Sequence, residues 1–151
     1  MHHFYDLFQF VLLSFFYAFL LQTKRQLQIL YITFIVLLSF LSIRYIINPK
    51  LFFEYSLLES YLTTMPIIIY ATMHLYNSLG QKKKFYFANL GLLFYLFTST
   101  FIFLLYKLIT ILEFDAFNDV MVDINIILQY IKFGFFFYQW KLIYFNKNEL
   151  N

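Results

Sequence analysis

The chain contains no cysteine. That excludes disulfides, thiolate metal sites, iron–sulfur clusters and a cysteine nucleophile. Glycine and proline are scarce, at 3 and 2 residues in 151, where about 7% and 5% are usual. A glycine-rich phosphate loop is therefore absent. So is any Gly-x-x-x-Gly motif, and helix packing has to rely on large side chains. Charge is scarce as well. Only 13% of residues are charged, against about 25% in a soluble domain. This excludes an ordinary cytosolic domain, a disordered tail and a nucleic-acid-binding module. The net charge of +3 is small and its basic residues are scattered between apolar stretches. It reads as membrane topology rather than as a basic patch.

What the chain has in excess is apolar and aromatic side chains. Hydrophobic residues make up 62%, with 23 Phe and 14 Tyr, and the mean hydropathy is +0.70. This is the composition of an integral membrane protein. Phe, Tyr, Ile, Asn and Lys have AT-rich codons, while Gly, Ala, Pro and Arg have GC-rich ones. Drift in an AT-biased organellar genome explains the aromatic content more simply than an aromatic ligand cage does. The start, Met1-His2-His3-Phe4-Tyr5-Asp6, has no basic n-region, Arg-rich presequence or small-residue cleavage site. The expectation is an uncleaved product made inside a mitochondrion and inserted into the inner membrane from the matrix.

A bilayer core of about 30 Å needs roughly 20 apolar residues per helix. Five candidate spans follow, at about 4–21, 28–47, 51–79, 85–112 and 124–145. They fill a single membrane domain over 1–151. Gln22-Thr23-Lys24-Arg25-Gln26 separates the first two, and Asn48-Pro49-Lys50 the next. Gly80-Gln81-Lys82-Lys83-Lys84 ends the third, and Glu113, Asp115, Asp119 and Asp123 follow the fourth. The expected fold is all-α, a polytopic transmembrane bundle.

Loop charge orients it. Lys24, Arg25, Lys82, Lys83, Lys84, Lys141 and Lys147 share one face of a five-span plan, against Arg44 and Lys50 on the other. The positive-inside rule then places the C-terminus in the matrix and the N-terminus outside.

Charges within spans are expensive, at about 2.5–3.5 kcal/mol near the centre. Glu59 lies eight residues past Leu51, and Lys132 eight past Ile124. Both spans begin at the outer face, so both groups are expected about 12 Å deep. That suits an ion pair. The competing reading has each charge facing a neighbouring subunit or a water pocket. Glu54 and Lys107 are placed to snorkel, and Arg44 and Lys141 to anchor span ends. His74 either titrates in a proton path or packs as a hydrogen-bonded core histidine. It is the only histidine well inside a span, so bis-histidine haem ligation within the chain is excluded. Pro66 removes a backbone hydrogen bond and is expected to kink the third span. That span carries Glu59, Pro66, Tyr70 and His74 and is the natural centre of any function. Glu59-Ser60 lacks the glycines of a nucleophile elbow. No metal-ligand set shows at helical spacing, His2 and His3 included.

Leu58-Glu59, followed by Ile67-Ile68-Ile69-Tyr70-Ala71-Thr72-Met73, resembles the third helix of subunit 6 of mitochondrial NADH dehydrogenase, respiratory complex I. There a carboxylate precedes an apolar stretch ending in a Tyr-Ala segment. The likeness covers about a dozen residues and the five-span plan, with Thr72 where that family has glycine. Subunit 4L is a second resemblance, through Lys24-Arg25-Gln26 and Glu59. The Phe- and Tyr-rich character is similar to divergent mitochondrially encoded proteins of ciliates. The resemblance to subunit 6 implies a membrane-arm subunit coupling quinone reduction to proton translocation, not an enzyme by itself. It implies Glu59 as the proton-relay carboxylate, with Tyr70 and Pro66 at the irregular turn; Lys132 and His74, charged or titratable groups inside spans, are the further proton-relay candidates. NADH, FMN, iron–sulfur clusters and ubiquinone would belong to other parts of the assembled complex. Partners would be other membrane subunits and lipids. The alternative is a non-catalytic structural subunit of ATP synthase or cytochrome c oxidase. A small independent transporter or channel is a third reading, disfavoured because so little glycine leaves little room for a substrate cavity.

Overall fold

The computed structural model describes residues 2–49, 57–79, 84–111 and 118–145, with side chains described over 5–49, 58–79, 84–109 and 120–145. The described residues form five α-helices: α1 (His2–Leu20), α2 (Lys24–Ile47), α3 (Leu57–Asn77), α4 (Tyr86–Ile111) and α5 (Asn118–Phe145). Three are long and apolar enough to cross a membrane, over Lys24–Ile47, Tyr86–Ile109 and Val120–Phe145. The apolar part of α1, Tyr5–Leu20, is shorter. These helices mark a membrane protein.

Several helix ends lie beyond the expected spans. Helix α2 begins at Lys24, after Thr23 in extended conformation at the N-cap position. Lys24 and Arg25 therefore form the first turn of a helix rather than part of a loop. Helix α5 begins at Asn118, six residues before the expected start, and takes in Asp119 and Asp123. Carboxylates suit the positive end of a helix dipole, so hydropathy underestimates the length. Helix α3 is α-helical from end to end, with Pro66 inside it and no π-turn. Residues 51–56, Glu54 among them, lie outside the described residues, as do Lys82, Lys83, Glu113, Asp115 and Lys147.

The chain divides into two compact units, Met1–Tyr76 and Asn77–Asn151. In the first, α1 and α2 join through residues 21–23. The Phe34 ring stacks on Phe10 at 5.6 Å and meets the edge of Phe15 at 5.9 Å. Helix α3 runs antiparallel to α2, with Tyr70 at the level of Leu30 and Glu59 at the level of Tyr45. In the second unit, α4 and α5 form an antiparallel hairpin. Ser99 meets Asn125 midway along α4, and Phe87 meets Gln139 at its first turn. The helices pack closely at Gly91, where a Cβ would lie 2.5 Å from the Phe135 Cβ.

Candidate functional site

Helix α3 buries one face. Glu59, Thr63, Pro66, Ile67, Tyr70, Ala71 and His74 are all buried on it, while Leu58, Tyr61, Ile69 and Thr72 are exposed. The spacing is that of one stripe of a 3.6-residue helix. Its polar members form a column about 22 Å long from Glu59 to His74. Glu59 and His74 are 0% and 1% exposed.

Neighbouring helices hold the column. Near its start the Tyr45 hydroxyl donates to the Glu59 carboxylate, and Arg44 and Asp6 are close enough to act electrostatically on the same phenol. Arg44 is half-buried, so it serves this cluster rather than acting only as a surface anchor. The Thr63 hydroxyl folds back on the carbonyls of Glu59 and Ser60, at 3.0 and 3.1 Å. Farther along, the Tyr70 hydroxyl donates to the Leu30 carbonyl at 3.4 Å and touches the Thr33 hydroxyl. The Tyr17 ring meets Tyr70 edge-on at 6.3 Å. His74, in the last turn, interacts with its surroundings.

Lys132 belongs to the second unit. It lies at the middle of α5, 14 residues from each end to within one residue, whereas Glu59 lies in the first described turn of α3. Each also has partners in its own unit. The Lys132 ammonium sits 4.0 Å from the centroid of the Tyr95 ring and 5.0 Å from that of Phe133. Above and below it the α4–α5 seam carries a polar ladder. Ser99 Oγ donates to Asn125 Oδ1 at 2.9 Å, Gln129 Nε2 to the Tyr95 hydroxyl at 3.4 Å, and the Phe87 N–H to Gln139 Oε1 at 3.0 Å. The last of these caps the first turn of α4, whose N–H groups have no intrahelical acceptor. Asn125, Gln129, Lys132 and Gln139 fall at i, i+4, i+7 and i+14, one face of a helix. That spacing was the available signal for the ladder, and reading the chain for charge alone passes over it.

The energetics of the two sites differ. Glu59 has a hydrogen-bond donor in the Tyr45 hydroxyl. Lys132 has two aromatic faces, each worth about 2 kcal/mol or more when desolvated, against a cost of roughly 2.5–3.5 kcal/mol for a mid-membrane cation. Lys107 and Lys141 are exposed near the ends of α4 and α5, as snorkelling requires. Among the described residues no three His, Asp or Glu side chains gather to hold a metal ion. Comparison with protein families, curated proteins and solved structures finds no match.

Proposed function

We propose that this chain is a membrane-arm subunit of mitochondrial respiratory complex I, similar to subunit 6, and that the buried column on α3 carries protons. The observation behind this reading is the alignment of Glu59, Tyr70 and His74 on one buried face. Titratable groups inside an apolar helical unit are costly, and they mark proton or ion paths more often than packing contacts. The likeness of Leu58-Glu59 and Ile67–Met73 to the third helix of subunit 6 points to the same element. In this reading Glu59 accepts and releases the proton, and Tyr45 orients its carboxylate. Tyr70 and His74 continue the path along the helix. The chain holds no cofactor of its own and sits in the inner membrane among other subunits.

The test is a native gel of mildly solubilised mitochondrial membranes, stained for NADH dehydrogenase activity, with mass spectrometry to locate the chain. Migration with the active band supports the reading. Migration with ATP synthase or cytochrome c oxidase replaces it with a structural role. Glu59→Gln keeps an acceptor for Tyr45 but no longer ionises. It should leave assembly intact while lowering NADH-driven proton pumping at least about tenfold. Pumping at the wild-type level would remove Glu59 from the relay.

A further inference from the structure

We propose that Lys132 is the docking point for a carboxylate carried at mid-membrane by a transmembrane helix of a neighbouring subunit. Among the described residues Lys132 meets only the rings of Tyr95 and Phe133. Helix α4 contains no Asp or Glu at all. On α5 the carboxylates are Asp119 and Asp123, about 20 and 13 Å away along the axis. Neither reaches the ammonium. The other polar groups of the seam already answer one another: Asn125 with Ser99, Gln129 with the Tyr95 hydroxyl, and Gln139 with the Phe87 N–H. Among the described residues Lys132 is the member of the ladder without a polar or charged counterpart, and it is half-buried, so part of its surface faces outward.

Charge complementarity fixes the occupant's chemistry. A cation at the midpoint of a span is beyond the reach of lipid headgroups and calls for an anion at the same depth. Glu59 of the same chain is a poorer candidate. It already accepts a hydrogen bond from Tyr45 within its own unit. The occupant is therefore an Asp or Glu on a helix from another chain. This inference does not depend on which complex contains the chain.

The experiment treats intact membranes with a hydrophobic carbodiimide, which joins a lysine to a carboxylate paired with it. Mass spectrometry then maps the peptides linked to Lys132. A link to an Asp or Glu of another chain is the expected result. A link to Glu59 overturns the proposal. If no link forms, Lys132→Met and Lys132→Arg decide. Lys132→Met should lower the chain's share in the native complex about tenfold or more, with Lys132→Arg restoring it. Incorporation of Lys132→Met at the wild-type level overturns the proposal. So does loss with both variants, because a misfolded hairpin would then account for it.

Discussion

Tyr45 donates its hydroxyl proton to Glu59 and so ties the last turn of α2 to the first described turn of α3. A hydrogen bond to a charged acceptor contributes about 1.5–3 kcal/mol. Tyr45→Phe should lower stability in detergent by that amount, read from thermal unfolding. Tyr31→Phe, on an exposed side chain of the same helix, should change nothing measurable. An equal loss from both would make Tyr45 a general packing residue. Glu59, Tyr70 and His74 could be picked out of the sequence because a polar group contrasts with a long apolar run. Tyr45 could not. With 14 tyrosines in the chain, one more near a span end carries no contrast, and only the antiparallel register of α2 and α3 brings it to Glu59.

Within an element, the hairpin of α4 and α5 leaves no room for a side chain at Gly91. An added methyl there meets the Phe135 side chain at its base, which cannot swing aside. Gly91→Ala should cost about 1–3 kcal/mol through overpacking. Gly134 sits on the opposite side of α5 with nothing within 4 Å of a new Cβ. Gly134→Ala should be neutral or stabilising by up to about 1 kcal/mol through helix propensity. Thermal unfolding of the two variants side by side tests both. Gln139→Leu removes the acceptor for the buried end of α4 and should cost about 1–3 kcal/mol, while Gln139→Glu keeps the acceptor and should cost less. Helix existence was legible from hydropathy, since the described residues form five helices, three of them long and apolar enough to cross a membrane. Helix ends were not, because polar first turns extend α2 and α5 past the apolar core. The ladder was legible only as amide spacing, and neutral amides lower hydropathy too little to draw notice.

For the whole molecule, most large apolar side chains of α2, α4 and α5 point away from their own unit. Ile32, Ile35 and Val36 on α2, and Tyr130, Phe137 and Tyr144 on α5, are more than half exposed. Water cannot cover such a surface at tolerable cost, since each square ångström of apolar area costs about 25 cal/mol. The chain should stay with the membrane pellet through an alkaline carbonate wash and enter solution only with detergent. Release by carbonate alone would overturn the membrane reading. Membrane character follows from composition alone. The division into two units, each with its own polar interior, does not, because it depends on which helices pair. The matched seam of the second unit also bears on the order of synthesis. Helix α4 leaves the ribosome before α5, so Ser99, Tyr95 and the Phe87 N–H are in place when Asn125, Gln129, Lys132 and Gln139 arrive. Entering the bilayer alone, α5 would carry three bare amides and an ammonium into hydrocarbon. Entering against α4, it finds an acceptor or donor for each amide and an aromatic face for the ammonium, which makes the hairpin, rather than the single helix, the unit of insertion.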